Sequence, residues 1–583
     1  MKTFSLSKLT IMLVSICFIV ISMWSFGNKQ LGGFDISALV DTGWRMASGQ
    51  TAYVDFPVTT PIAFYVGAGW AIQLFGAKWS SFIVIAIIFT VISFILQTYL
   101  LSLVLAWRHA FAISLVSQLL CSVVISYWWY NAITMNASCL FISAAYVFIN
   151  RPTERVSAIS LWGTLTLLSL MKPNIAGGLA LLIFVVLFLF SSYRGKLILI
   201  GLLALISFFA ILFLLKISPL NVIQSYLEIG KGRAAPTLKW FYNDKFYEHL
   251  VVVPLIVLCL LPMLERLSRL ESIKHMSPTL GANFFVSVAS LLTGCLSLLT
   301  NSDSNLIVGI PFFLIGSFSF YSLTDPELGE ILPRKLWRTT ALFFIIATLT
   351  GCIILQTNYH DIDTAPNMFE PWFIEAFLCN LLAIVLIIKD NSKNRFVTHQ
   401  NWKRERIVWA SLLVCGSIAM FAGGMRWRVA YTGYEMFFTF SPLTSVDNIP
   451  FFNHFQISPT AKTTLLEIQQ ALQDNYGKKE NWKNASIFFG KRLEFAYATF
   501  GIASPLGLPI WWHPNNSYPA DLEQEYGQAF VDHNFEYAIF MKIPGQDNPG
   551  FGLLPESVVT TLSSNYDRVN YSSIIVFHKK GNK

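Results

Sequence analysis

Apolar runs of about 17–25 residues, each long enough to cross a hydrocarbon core, alternate with short polar stretches through the first 424 positions. They lie near 8–26, 80–106, 110–129, 137–150, 156–171, 174–192, 196–216, 249–264, 284–300, 306–322, 338–356, 371–389 and 406–424. The pattern predicts a polytopic α-helical membrane protein with about 13 transmembrane helices. A further apolar segment, 59–76 (TTPIAFYVGAGWAIQLFG), is ambiguous in length. Beyond Met425 the pattern becomes that of a soluble α/β domain. There TAKTTLLEIQQALQDNY has helical apolar spacing, and ASIFFG, FEYAIFM and SSIIVFH read as short strands. The predicted division is 1–424 for the membrane part, with its first long loop at 27–79, and 425–583 for the soluble part.

Composition agrees with the pattern. The chain has 583 residues, of which 54% are hydrophobic and only 13% charged, against roughly 25% charged in soluble domains. A net charge of +8 could suggest nucleic acid, but most Lys and Arg fall in short loops between spans. There they act as orientation signals, which excludes the nucleic-acid reading. All eight cysteines fall within apolar segments and the tail has none, so no disulfide framework is expected. The N-terminal apolar run lacks an A-x-A-like cleavage site and reads as an uncleaved first span.

Charge also fixes the expected topology. With a cytoplasmic N-terminus and a non-crossing 59–76, the loops holding Arg108, Arg151/Arg155, Arg194/Lys196, Arg266/Arg269/Lys274, Arg334/Lys335/Arg338 and 389–406 all face the cytoplasm. A fully crossing 59–76 would turn every one of them outward. The first arrangement leaves loops 27–79, 127–136, 171–174, 217–248, 301–305 and 358–372 on the extracytoplasmic side, together with the tail. These loops hold most of the acidic, amide and aromatic residues that topology does not require, and long loops are usually functional. A bacterial inner membrane with a periplasmic tail is the expected setting.

The first loop opens GGFDISALVDTGWRMASGQTAYVDFPVTTPIAFY. Asp35, Ala38, Asp41, Trp44 and Arg45 recur at helical spacing and Gly49 stops the run. An amphipathic helix at the membrane surface fits, with Phe34, Leu39 and Trp44 turned to lipid. At that boundary Asp35 is either a helix cap or a carboxylate made more basic by partial desolvation.

The succession Asp35, Gly49, Tyr53, Asp55, Phe56 and Pro61 resembles the first extracytoplasmic loop of the GT-C membrane glycosyltransferases, which include protein O-mannosyltransferases and lipid A aminoarabinose transferases. Ile36 stands where the family often has Glu, Ala52 where it has Pro, and Thr60 where a second Pro is common. In WWYNAITMN, Asn136 takes the place of a family Asp, and LSLMKPNIAGG is similar to a family turn opening the next helix. The resemblance spans about 420 residues and leaves the tail uncovered. It implies transfer of a sugar from a polyprenyl-phosphate donor to an acceptor hydroxyl, with inversion, on the extracytoplasmic face. The acceptor could be a glycan, a lipid or a protein. No cofactor is implied, and the missing acidic pair leaves a divalent metal unsupported.

Such chemistry needs a base, a phosphate site and a lipid-accessible groove. Asp35 is the first candidate base and Asp41 the second. Lys172, just before Pro173 at a helix start, is the candidate phosphate ligand, though it could simply snorkel to headgroups. Lys231 and Arg233 are alternatives for the phosphate. Tyr53, Asp55, Asn136 and Asp303 are candidate substrate contacts, as are Trp511, Trp512 and His513, which could equally pack the tail onto the membrane part. Trp128, Trp129 and Tyr130 suit either sugar stacking or the interfacial aromatic belt. Asp361, Asp363 and His360 make a weak metal set. A lipid-linked sugar flippase or a non-catalytic polysaccharide-assembly protein stays open as an alternative. Transporters, however, tend to show repeats and charged or broken helices at the midplane, and neither feature is visible here.

Overall fold

A computed structural model describes residues 6–227 and 444–581, with short interruptions in each. The six apolar runs expected between 249 and 424 lie outside the described residues, as do Lys231, Arg233, Asp303, His360, Asp361 and Asp363.

The first part is helical: α1 (Leu6–Gly27), α2 (Phe34–Ala47), α3 (Ile62–Phe75), α4 (Trp79–Ser102), α5 (Trp107–Val124), α6 (Tyr130–Asn150), α7 (Arg155–Ser169), α8 (Pro173–Phe190) and α9 (Arg194–Leu214). Residues 219–227 are also helical. Among the described residues α1, α4, α9 and the 132–150 stretch of α6 are long and apolar enough to cross a membrane. The 14-residue α3 is about 21 Å long at 1.5 Å per residue, short of the ~30 Å hydrocarbon core.

The two ends of this bundle differ. At one, Lys8 of α1 lies 5.6 Å from the Trp107 ring beside Arg108, and Lys196 donates to Pro152 O at 2.6 Å. At the other end of α1, Asn28 O accepts from Gln456 N at 3.1 Å, bringing the tail to the first loop.

α6 begins seven residues before the apolar run expected at 137–150. In its first turns, YNAITMN, Thr134 Oγ1 donates to Tyr130 O at 2.6 Å. The belt reading of Trp128 and Trp129 gives way here. Both indoles are buried against α3, Trp128 also against Phe89 of α4, and Trp128 Nε1 donates to Phe64 O at 2.8 Å. Gly67 makes room for that ring, since a Cβ there would stand 2.2 Å from it.

The tail comprises β1 (Thr444–Ser445), β2 (Gln456–Ile457), α10 (Pro459–Tyr476), β3 (Ile487–Phe489), α11 (Phe495–Phe500), α12 (Glu523–His533), β4 (Tyr537–Met541), α13 (Glu556–Asn565), β5 (Tyr566–Asn570) and β6 (Ile574–Lys579). β1 and β2 pair antiparallel. The other strands form a sheet in the order β3–β4–β6–β5, parallel between β3 and β4 and antiparallel elsewhere. Ser458 caps α10 by accepting from Ala461 N, and Pro459 takes its first position.

Alternation along the strands divides the core. Ile487, Phe489, Ile539, Met541, Ile574 and Val576 belong to an apolar cluster that continues through Phe452, Phe455 and Phe495 into the helical bundle. Phe488, Ala538, Phe540, Ile575 and Phe577 turn to the other face and pack with Trp512, Phe530 and Leu562.

Candidate functional site

α2 is the centre of the first loop. Its surroundings differ from those expected of a helix lying on lipid. Leu39 is fully buried, and Trp44 is half-buried with its indole donating to Ile502 O at 2.8 Å. The tail covers the face that amphipathicity assigned to the bilayer, because α11 and the chain after it dock there. On the other side α2 packs closely against α3. Gly43 meets Ala68, and Gly69 meets Met46, at positions where a Cβ would come within 2.9 Å.

Ala38, one turn beyond Asp35, shares an apolar cluster with Ala52, Phe56, Val58, Ile62 and Tyr65. Asp35 itself lies in the first turn of α2; its side chain is outside the described residues.

The start of α3 meets other candidate residues. Ala63 N donates to Leu170 O at 3.0 Å, two residues before Lys172. Lys172 N donates to Thr134 Oγ1 at 3.3 Å, and its ammonium stands 4.7 Å from the Tyr130 ring centre. Tyr130 in turn packs edge-on to Phe64 at 5.5 Å. Lys172 is thus a half-buried cation held against an aromatic face at the head of α8.

The turn after α2 completes this end. Asp55 Oδ2 accepts from Thr51 N at 2.6 Å, and Asp55 O accepts from Gly507 N at 2.7 Å, so Asp55 ties the turn to the tail. Tyr53 adopts φ 65°, uncommon for a residue with a side chain. Its N–H donates to Phe56 O and its carbonyl accepts from Asn221 Nδ2 at 3.2 Å. Ser225 Oγ donates to Val58 O at 3.1 Å. The Tyr53 and Tyr65 rings meet edge-on at 5.9 Å, and Tyr226 joins them. Burial, and then the neighbouring Tyr65, push the Tyr53 phenol well above its ordinary range, so it stays a protonated donor. Neither the Tyr53 nor the Tyr65 hydroxyl has a hydrogen bond of good geometry. Buried hydroxyls in that condition are candidates to meet a ligand or water.

Asp41 has a different occupation from the one its spacing suggested. It is fully buried, with Oδ2 accepting from Arg45 Nε at 2.8 Å and Oδ1 from Ser504 Oγ at 2.6 Å. With both oxygens engaged and closed to solvent, it joins α2 to the tail. Burial raises its carboxyl above the ordinary range, and Arg45 and Ser504 pull the other way.

Asn136 is also displaced from its expected place at a loop mouth. It is buried inside the bundle, donating to Thr90 Oγ1 at 3.4 Å, because α6 starts early. Trp512 lies in the tail core, edge-on to Phe488 at 6.1 Å, which removes it from any sugar-facing surface. Its neighbours diverge. Ile510 enters the cluster of Tyr65, while Trp511 is half-buried beside His513, with ring centres 5.3 Å apart.

The structure therefore gathers Lys172 and Tyr53 around the start of α3, ties Asp55 to the tail, and buries Asn136 within the bundle and Trp512 in the tail core. Sequence reasoning missed Tyr65, Thr134 and Tyr226 as members, along with the role of Arg45, and offered Tyr130 only for sugar stacking or the interfacial aromatic belt. Arg45 alone had a readable signal, its spacing of four residues from Asp41 on a helix. Among the described residues no group of three His, Cys, Asp or Glu converges as a metal site.

No protein-family model matches the chain, and no curated protein matches it. Among solved structures it is similar to ArnT from Cupriavidus metallidurans bound to undecaprenyl phosphate. Identity there is 11% over 99% of each chain, with a TM-score of 0.44. It is also similar to the Archaeoglobus fulgidus oligosaccharyltransferase in complex with zinc and sulfate, at 11% identity and a TM-score of 0.38 over 91% of this chain and 68% of the other.

Proposed function

We propose that this chain is a membrane glycosyltransferase that moves a sugar from a polyprenyl-phosphate donor to an acceptor hydroxyl at the extracytoplasmic face of a cell inner membrane. The observation that carries the reading is the convergence at the start of α3. There the 51–58 turn and the Lys172 head of α8 meet through Ala63–Leu170, Tyr53–Tyr65 and Lys172–Tyr130, beside α2, whose first turn carries Asp35. The docking of the tail against Asn28 and α2 supports a common side for the first loop and the tail.

In this reading Asp35 accepts the acceptor's hydroxyl proton as its oxygen bonds to the anomeric carbon. The bond from that carbon to the phosphate oxygen breaks on the opposite side, and polyprenyl phosphate leaves with the electron pair. Inversion follows from the single displacement. Lys172, at the positive end of α8, offsets the charge that grows on the phosphate. The phenols of Tyr53 and Tyr65 donate to sugar or phosphate oxygens. No step is assigned to a metal.

The full chain in proteoliposomes, given radiolabelled polyprenyl-phosphate sugars, tests this. Transfer of label to an acceptor, reduced about 100-fold or more in Lys172→Met, is the expected result. Absence of transfer from every donor would return the flippase and assembly readings.

A further inference from the structure

We propose, resting on the glycosyltransferase reading, that Ser37 and Arg45 are positioning residues through which the tail sets where Asp35 stands. α2 is held to the tail near both of its ends. Near its beginning, Ser37 Oγ donates to Glu494 Oε2 at 2.6 Å and accepts from Phe495 N at 2.9 Å. Ser37 is two residues from Asp35. Near its end, the Arg45 guanidinium donates to Asp41 Oδ2 at 2.8 Å within the helix and to Pro505 O at 2.6 Å across it, with Leu508 O at 3.4 Å. Gln50 Nε2 adds a bond to Ser504 O at 2.8 Å, and Trp44 Nε1 one to Ile502 O.

The two attachments differ from ordinary packing. Apolar faces tolerate small slides because dispersion is spread over many weak contacts. Buried polar groups do not, since a donor pulled from its acceptor is left unsatisfied away from water. Arg45 is 1% exposed and Ser37 2% exposed, so neither can turn to solvent instead. The planar guanidinium adds directionality: its fork is filled from two directions, and its face lies 5.2 Å from the Phe56 ring centre.

The pins lie eight residues apart, about 12 Å along the helix axis. A helix held at two such points can neither rotate nor slide, so its first turn keeps one position. On the opposite side Gly43 and Gly69 bring α3 close enough to complete the clamp. Displacement of a catalytic group by about 1 Å can lower a rate about 100-fold. The attachment is therefore sufficient to govern turnover without touching substrate.

The test uses the full chain in proteoliposomes with a polyprenyl-phosphate sugar that the unmutated protein turns over. It compares Ser37→Ala, Arg45→Lys and the pair Asp41→Asn with Arg45→Met; the pair guards against a lone buried charge that prevents folding. Glu467→Gln, in the tail and away from α2, is the control. Turnover and donor KM are measured alongside hydrogen exchange of the α2 amides. The expected result is faster exchange across 34–47 and a kcat lowered roughly 10- to 100-fold, with donor KM and the control unchanged. Unchanged exchange in all the variants overturns the proposal whatever their activity, and so does faster exchange with an unchanged kcat. If the unmutated protein transfers no sugar, the reaction itself falls, and with it the claim on turnover. The exchange arm then decides separately whether the tail holds α2.

Discussion

Ser504 Oγ and Asp41 Oδ1 meet at 2.6 Å across 463 positions of sequence, in a site from which water is excluded. Arg45 holds the other oxygen, so the ion pair sits on the seam between the first loop and the tail. Removing one member of a buried pair strands the other and destabilises by about 3–5 kcal/mol, whereas replacing both with apolar residues of similar size is close to neutral. Asp41→Ala and Arg45→Ala should each lower the thermal midpoint of the full chain, and Asp41→Leu combined with Arg45→Met should recover most of the loss. Equal losses in the single and double variants would show that the pair is not coupled.

Gly67 tests the packing of α3 on Trp128. A Cβ there would stand 2.2 Å from the Trp128 ring, which is itself hydrogen-bonded to Phe64 O and cannot swing away. Gly67→Ala should destabilise by about 1–3 kcal/mol. Gly163→Ala in α7, where no atom lies within 4 Å of the added carbon, should not. Thermal unfolding followed by size exclusion distinguishes the two.

Adjacent tryptophans should behave differently. Trp512→Ala removes a fully buried ring from between Phe488 and Tyr518 and should cost about 3–5 kcal/mol. Trp511→Ala removes a half-buried ring, so its thermal midpoint should fall much less. A reversed order would place the tail core elsewhere.

Glu467 links α10 to the turn between β5 and β6 and gives the tail a pH dependence. Burial alone would raise its carboxyl, but hydrogen bonds from Ser572 and Ser573 outweigh burial and hold it below the ordinary 4.5. A carboxyl lowered in the folded state contributes stability that is complete above its unfolded value and is lost as pH falls through its folded value. The thermal midpoint should therefore drop as pH falls below about 4.5, and Glu467→Gln should flatten that part of the profile. A mutant profile parallel to that of the unmutated protein would contradict the assignment.

Individual residues show how much of this was readable in the chain. Apolar run lengths announced α1, α4, α7, α8 and α9 because a bilayer imposes a minimum length on each. The same logic placed the start of α6 too late. Thr134 and Asn136 look like loop residues, yet both lie buried in α6, Thr134 donating to helical backbone and the Asn136 amide to Thr90. Leu39 and Trp44 carried the correct amphipathic signal but not its partner, since an apolar face does not reveal whether lipid or a distant α11 will cover it. Ser504 had no local signal at all; its role exists only because the tail folds back onto α2. In the candidate site, Asp35 and Lys172 stood out by residue type and place, and Tyr53 and Asp55 through the family resemblance. Tyr65 did not, because an aromatic residue in an apolar helix is ordinarily core.

The most direct test of the account is the rate of sugar transfer from a polyprenyl-phosphate donor by Asp35→Asn, set beside Asp41→Asn in the same proteoliposomes. The account predicts that Asp35→Asn loses about 100-fold or more in rate at an unchanged thermal midpoint. Asp41→Asn should lose rate only in step with lost stability. Transfer by Asp35→Asn at the rate of the unmutated protein would contradict it and remove Asp35 from the chemistry.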